Sequence, residues 1–492
     1  MNKEGYRIAR VTKDKSFDGK FFFGVRTTNV FCRPSCPSPI AKEENVLYFD
    51  TVFKALETGF RPCMRCRPDI NVEYFNSNLD GAETVNTALE MIYDGYLSYH
   101  SIHDLAKELF ISDRHLRKLF NYNLGIPPVK IARYHKAIFS KRLLLFSDLL
   151  MTEIAFIAGF GSIRQFNDVF KETFGISPSG MRKATYKDAG DQKEALLLLP
   201  YEGHLDFKQM LLFMQDRAIN GVEVIKEGSY SRTFRANDAM GYFEVCNNPE
   251  KSALELRIVS NDIRCYMVVC NKVRKMFDLD RDLSVIKEKF KDDPILSLGM
   301  DNGEVPRLPL AFDTFEFIIR AILGQQISVK AATTLAGRIA EKASIKCEAS
   351  FPAGLEYFFP YPEELQRLNL EELGITKSRQ NTLKTVVDSI IEKSISLSKN
   401  QSFDAFKNDL STIKGIGDWT VDYVAMRGLG MADCFPSTDL GVINALRVND
   451  KKLSKKDVLQ IAEKWRPYRA YATLCLWNIE RKRRDKNVLY KI

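Results

Sequence analysis

Four cysteines stand out by their spacing. Cys32 and Cys36 have three residues between them, Cys63 and Cys66 have two, and 26 residues separate the pairs. Two such pairs match tetrahedral zinc sites assembled from two loops. A purely structural zinc knuckle accounts for them. Yet four thiolates on one divalent cation leave a formal charge of about −2, and sulfur kept anionic in this way can attack an alkyl carbon. A second set lies far downstream, in Ile413-Lys414-Gly415-Ile416-Gly417-Asp418-Trp419-Thr420-Val421. Gly415 and Gly417 bracket a turn from which the first backbone amides of the next helix can face a phosphate. Trp419 and Tyr423 share one face of that helix, and Asp439 follows in Phe435-Pro436-Ser437-Thr438-Asp439-Leu440. Asp439 suits the N-cap of a helix over Leu440 to Leu446. A carboxylate there can also stabilise positive charge developing on a substrate.

Other titratable groups narrow the chemistry. Cys246, Cys265, Cys270, Cys347, Cys434 and Cys475 show no ligand-like spacing and read as small buried hydrophobes. All five histidines precede residue 205, and His115 reads as polar surface. Chemistry in the C-terminal half must therefore run on carboxylate, lysine or aromatic groups.

The elements that must position these residues follow from periodicity. The first ~75 residues hold strand-like runs such as Phe21-Phe22-Phe23-Gly24-Val25, broken by a proline-rich stretch; so small a region needs the cysteines as a staple. From Ala82 to Tyr186 the pattern is helical and repeats. Ile102, Leu105, Ala106 and Leu109, then Leu116, Leu119 and Phe120 after Ser112, are echoed by Ile154, Ala155 and Ala158, then Phe166, Val169 and Phe170 after Ser162. Two copies of helix, short turn, helix are encoded, each of which alone could be a mere packed αα-hairpin. Lys187 to Glu194 reads as a polar linker, Leu196 to Cys270 as strands around one amphipathic helix, and Lys272 to Ile492 as mainly helical.

A chain of 492 residues should form three or four domains, and its net charge of +9 suits a polyanionic partner without demanding one. No apolar run approaches the ~18 residues of a membrane helix, and the start lacks an apolar leader segment, so no membrane association and a cytoplasmic location are expected.

Three resemblances sharpen this reading. Val25-Arg26-Thr27-Thr28, Phe31-Cys32-Arg33-Pro34-Ser35-Cys36 and Gly59-Phe60-Arg61-Pro62-Cys63-Met64-Arg65-Cys66 resemble the N-terminal zinc domain of the Ada adaptive-response proteins. That resemblance implies one Zn2+ on Cys32, Cys36, Cys63 and Cys66, with Cys32 irreversibly accepting a methyl group from a methylated DNA phosphate. Arg26, Arg33 and Arg61 would lie against DNA. The paired helical units resemble the AraC-type DNA-binding domain that follows the Ada zinc domain, with recognition helices at Ser112 to Asn121 and Ser162 to Phe174. Arg114, Arg117, Arg164, Gln165 and Asn167 would reach bases or phosphates, although solvated helix faces would look the same.

From about Leu196 to Trp477 the chain is similar to the AlkA-type 3-methyladenine DNA glycosylases of the helix-hairpin-helix superfamily, through Arg320-Ala321-Ile322-Leu323-Gly324-Gln325-Gln326-Ile327-Ser328-Val329, the hairpin, the Asp439 segment and Lys464-Trp465-Arg466-Pro467-Tyr468-Arg469. This implies Asp439 as the catalytic carboxylate, Trp419, Tyr423 and Trp477 as a base pocket, and Gln325, Gln326, Gly415 and Gly417 at the DNA. Gln326 departs from the apolar wedge of the family, for which Ile327 is the alternative, and Leu440 is less aromatic than in some relatives. The Schiff-base lysine position of lyase members is Trp419, and neither a C-terminal four-cysteine run nor a Pro-Cys-His-Arg motif occurs, so a monofunctional glycosylase without an O6-alkylguanine transferase domain is implied.

The expected architecture is multidomain and mainly α with α+β parts: a zinc-stapled α+β module (1–78), an all-α AraC-type double helix-turn-helix (82–186), a small β-rich α+β domain (195–300) and an all-α helix-hairpin-helix glycosylase domain (301–492). The expected partners are alkylated and promoter double-stranded DNA and RNA polymerase, for a monomeric, bacterial, nucleoid-associated protein. A transcription regulator with a structural zinc site and an inactive glycosylase half is the alternative.

Overall fold

Strand periodicity sends neighbouring side chains of the first apolar run to opposite faces. In the computed structural model, β1 (Phe22–Val25) directs Phe22 into a core with Phe31, Phe49, Phe53 and Phe60, while Phe23 packs among the cysteines. The residues described are 3–63, 65, 66, 68, 81–147, 149–185, 196–236, 238–398, 401–447 and 453–489; the expected linker Lys187 to Glu194 lies outside them. The chain divides into two compact units, residues 1–197 with 262–269, and residues 198–261 with 270–492.

In the first unit, β1, β2 (Val30–Cys32), β3 (Val46–Phe49) and β4 (Arg61–Pro62) form a sheet of order β3-β1-β2-β4. β2 and β4 are parallel, with Phe31 opposite Pro62. That pairing brings the two cysteine pairs together, because Cys32 ends β2 and Cys63 follows β4. The core of this sheet continues into Val85, Leu89, Leu105, Leu116, Phe120 and Ile131, so sheet and first helical repeat share one hydrophobic interior.

Both expected helix-turn-helix copies form. Ser101 and Ser112 cap helices Ile102–Glu108 and Asp113–Leu124, and Ser162 caps Ile163–Phe174, which follows Met151–Ile157. Gly125 and Gly175 close the second helix of each copy with φ +70°. Only glycine takes that conformation without strain, which is why both copies end there. Phe120, Phe166 and Phe170 are fully buried, each contributing roughly 2–3 kcal/mol of hydrophobic stabilisation.

In the second unit, strands β5 (Leu196–Pro200), β6 (Glu223–Lys226), β7 (Ser229–Ala236), β8 (Ala239–Asn248) and β9 (Ala253–Ser260) pair in the order β5-β9-β8-β7-β6. The single amphipathic helix read from the sequence is Phe207–Gln215. From Ser284 onward the unit is helical around one large core. A buried charge cluster ties sheet to helices: Arg232 of β7 pairs with Glu316 at 2.6 Å, while Arg320 lies 3.1 Å from Glu316 and 3.2 Å from Glu223. Among the described residues, no helix is long and apolar enough to cross a membrane.

Candidate functional site

Asp439 does cap a helix, Leu440–Ala445, and the cap is only part of its environment. Its Oδ1 accepts hydrogen bonds from the backbone amides of Gly441 (2.9 Å) and Val442 (3.2 Å) and from Trp477 Nε1 (2.8 Å). Its Oδ2 accepts from Trp419 Nε1 at 2.9 Å. Four N–H groups from three segments therefore orient one half-buried carboxylate. The helix supplies two of them because its first amides have no partner within the helix.

The same two indoles build an aromatic enclosure. Trp419 stacks on Tyr423 with centroids 4.9 Å apart and planes 17° apart, as their shared helix face requires. Trp477 stands edge-on to Tyr423 at 6.3 Å. Trp419, Tyr423 and Trp477 thus come together around Asp439. Sequence reasoning missed Phe213, which lies parallel to Trp477 at 6.2 Å, and Phe317, 5.1 Å from Tyr423. Phe213 comes from the helix Phe207–Gln215, more than two hundred residues upstream, with no local motif to mark it. An adjoining apolar pocket is lined by Phe213, Trp477, Met210, Val305, Pro309 and Leu474.

Arg427, also missed, lies four residues after Tyr423 on the same helix, a spacing that could have flagged it. It is buried and donates from Nη1 to the Tyr423 hydroxyl at 2.8 Å. Burial alone would raise the phenol, but Arg427 and then Arg217 outweigh it and hold Tyr423 below the ordinary tyrosine range.

The hairpin joins helices Phe403–Ser411 and Asp418–Arg427. Gly415 has φ +96°, and a Cβ there would lie 2.3 Å from Thr382 Oγ1, so both conformation and space demand glycine. Gly417 is the N-cap of the second helix, in extended backbone with open space around it. Gln325 donates its amide to Gly415 O (2.9 Å) and Thr420 Oγ1 (3.0 Å), bracing the hairpin from the turn after helix Thr314–Leu323. Gln326 is exposed with φ +57°, a left-handed conformation uncommon outside glycine, and neighbouring Ile327 is exposed as well. Backbone strain of this kind concentrates at functional positions.

In the first unit, the sulfur atoms of Cys32, Cys36, Cys63 and Cys66 all lie within 4.8 Å of one another, and Cys36 and Cys63 are 4.0 Å apart. Zn–S bonds of about 2.3 Å place tetrahedral sulfurs roughly 3.8 Å apart, so the four fit one zinc ion. Cys32 and Cys36 are buried; Cys66 is the most exposed of the four and accepts a hydrogen bond from the Arg33 amide at 3.4 Å. Arg26 is exposed and Arg33 half-buried. Arg61 is exposed but lies against Gly175, where a Cβ would come within 3.0 Å of its guanidinium. Arg114, Arg117, Arg164, Gln165 and Asn167 are all exposed on their helices. The Gln165 side chain accepts from the Gly161 amide at 3.0 Å, bracing its own turn.

Comparison with known proteins matches these regions to three family models: "Metal binding domain of Ada" over residues 6–69, "Helix-turn-helix domain" over 105–184 and "AlkA N-terminal domain" over 196–313. The chain is 33% identical over 474 residues, 95% of its own length and 94% of the relative's, to the "Probable bifunctional transcriptional activator/DNA repair enzyme AlkA" of Mycobacterium tuberculosis (strain CDC 1551 / Oshkosh). It is 26% identical over 288 residues, 57% of the chain and 96% of the relative, to "DNA-3-methyladenine glycosylase 2" of Escherichia coli (strain K12). In fold it matches the 3-methyladenine DNA-glycosylase from Archaeoglobus fulgidus with a TM-score of 0.50 at 21% identity, covering 58% of this chain and 98% of that one. With near full-length similarity and all three regions matched in order, the chain belongs to the family of bifunctional transcriptional activator/DNA repair enzymes that join an Ada-type N-terminal half to an AlkA-type glycosylase.

Proposed function

We propose that the protein repairs alkylated DNA by two routes and uses one of them as a signal. Asp439 is the catalytic carboxylate of a monofunctional glycosylase acting on alkylated bases of the 3-methyladenine type, and Cys32 is the sacrificial acceptor of a methyl group from DNA methylphosphotriesters. The observation that carries the glycosylase reading is the Asp439 carboxylate held by two indole N–H groups beside an aromatic enclosure.

A base must leave the DNA stack before it can be cut from its sugar. Electron-rich faces of Trp419, Tyr423 and Trp477 suit a cationic alkylated purine, each worth ~1 to 2 kcal/mol when desolvated. As the C1′–N bond breaks, its electron pair goes to the base and positive charge develops on the sugar. The fixed negative charge of Asp439 stabilises that charge and aligns the water that adds to C1′. Trp419 occupies the place of a Schiff-base lysine, so the strand is left uncut.

Zn2+ held by Cys32, Cys36, Cys63 and Cys66 would keep the sulfurs anionic at neutral pH. Cys32 Sγ attacks the methyl carbon, the S–C bond forms as the C–O bond breaks, and the electron pair leaves on phosphate oxygen. The product thioether carries one negative charge less, so repulsion from the DNA backbone falls. The two helix-turn-helix units then hold promoter DNA through Arg114, Arg117, Arg164, Gln165 and Asn167, with RNA polymerase as the next partner. Exposed Gln326 and Ile327, with Gly415 and Gly417 at the hairpin, meet the DNA around the flipped base. The protein acts as a monomer on the nucleoid, in the bacterial cytoplasm.

Incubation with methylated duplex DNA tests both routes: free alkylated base should appear in solution, and peptide mass mapping should find one added methyl on Cys32. No released base refutes the glycosylase reading, and an unmodified Cys32 refutes the acceptor reading.

A further inference from the structure

The buried cation at Arg427 has no role in the chemistry described so far. It is 6% exposed, and among the described residues no carboxylate pairs with it. Its charge is held by the Pro309 carbonyl at 2.9 Å and by three rings, Phe213 at 4.6 Å, Phe317 at 5.1 Å and Tyr423 at 5.6 Å. A guanidinium without a counter-ion is costly to bury, which makes its one hydroxyl contact informative. Arg427 Nη1 donates to Tyr423 Oη at 2.8 Å. Arg217, whose guanidinium lies 3.8 Å over the Phe213 ring, adds a second positive charge that lowers the same phenol. Arg217 is itself fixed, since Arg320 donates to its carbonyl while pairing with Glu223 and Glu316.

A phenol oxygen that accepts from a guanidinium, which carries donors only, cannot direct its own hydrogen at it. Among the described residues that hydrogen has no acceptor. The Tyr423 ring is stacked on Trp419, whose Nε1 holds Asp439, so the ring belongs to the same enclosure as the carboxylate.

Resting on the glycosylase reading, we propose that Tyr423, backed by Arg427 and Arg217, donates its hydroxyl hydrogen to an acceptor atom of the departing base and so extends excision to neutral damaged bases. A cationic base leaves as a neutral molecule and needs no donor. A neutral base takes the C1′–N electron pair as an anion, and a donor at its ring nitrogen or oxygen lowers that barrier. The proton passes from Tyr423 to the base, and the two arginines hold the phenolate. Water adds to C1′ and its released proton returns to Tyr423, which balances charge and atoms. Tyr423 is then a catalytic residue for neutral bases, and Arg427 a positioning residue that acts through it.

The test compares single-turnover release of a cationic base, 7-methylguanine, with that of a neutral one, hypoxanthine, from otherwise identical duplexes. In Tyr423→Phe the ring stays and the donor goes, so the neutral-to-cationic rate ratio should fall about tenfold or more. A smaller fall in the ratio overturns the proposal, even if both rates drop. The charged groups facing the phenol are Arg427, Arg217 and, behind them, Arg320 with Glu223 and Glu316. Arg427 and Arg217 hold it below the ordinary tyrosine range, so wild-type hypoxanthine release should decline as pH rises through that lowered value, and the decline should vanish in Tyr423→Phe. An alkaline limb that persists in Tyr423→Phe overturns the proposal. Arg427→Lys should restore more of the ratio than Arg427→Met, and equal ratios in the two variants overturn the positioning role. If wild type releases neither base the glycosylase reading itself has failed, whereas release of both with an unchanged ratio in Tyr423→Phe sinks the donor role alone.

Discussion

Gly441 and Trp477 meet at the foot of the Asp439 carboxylate: a Cβ on Gly441 would lie 2.8 Å from Trp477 Cδ1 and 3.1 Å from Asp439 Oδ1. The indole can hydrogen-bond to Asp439 only because residue 441 has no side chain. Gly441→Ala should therefore push the indole off the carboxylate and slow base release about 10- to 100-fold, as small misplacements at reacting centres do. Single-turnover kinetics on methylated duplex checks this, with circular dichroism to confirm an intact fold; release within twofold of wild type would show that the indole contact is dispensable.

Asp439→Asn keeps the helix cap, since asparagine caps about as well as aspartate. It removes the negative charge. Base release should fall by about 10²- to 10³-fold or more, the scale of losing one electrostatic stabiliser, while damaged-DNA binding measured by fluorescence anisotropy changes little. A parallel loss of binding would place Asp439 in recognition rather than in bond breaking.

Methyl uptake on Cys32 should raise affinity for promoter DNA by removing one negative charge beside the phosphates. Because the lost term is a screened repulsion, the gain should be largest near 10 mM salt and shrink as ionic strength rises. Titrations of methylated and unmethylated protein at three salt concentrations measure it. Cys32→Ala should take up no methyl, and equal affinities before and after methylation at every salt concentration would refute the electrostatic switch.

Asp422, on the hairpin's second helix, is pushed up to about 7, chiefly by burial, with Lys407 opposing. Its folded value lies above the ordinary 3.8, so folding favours the protonated form. The resulting destabilisation is absent below about pH 4, grows as pH rises and is complete above about pH 7. Asp422→Asn should accordingly raise the melting temperature at pH 8 and leave it little changed at pH 4. A variant less stable than wild type at pH 8 would mean that the ionised carboxylate is stabilised by its neighbours.

Local pattern made several parts of this molecule legible. The two helix-turn-helix copies were readable because serine caps, apolar spacing and closing glycines are properties of consecutive residues, and the copies form as that pattern requires. The four cysteines and the Asp439 segment were legible because ligand spacing and an N-cap are also short-range signals. Trp419, Tyr423 and Arg427 share a helix face for the same reason, although the role of Arg427 was not read from it.

Tertiary packing decided the rest. Phe213 and Arg217 reach the pocket from a helix and turn that precede the hairpin by about two hundred residues, and only the common core of sheet and helices brings them there. The family resemblance implies Gln325 at the DNA, and the fold adds a contact no local window shows: its amide braces Gly415 and Thr420 across 90 and 95 residues of chain. Gly441 carries no local signal of its role, which comes from Trp477 occupying the space where its Cβ would be. The sequence by itself determined which short segments form and which side chains share a face. Which distant segments meet, and therefore which groups touch Asp439 and Tyr423, depends on how apolar faces exclude one another's volume in a packed interior, a property no local window of residues contains.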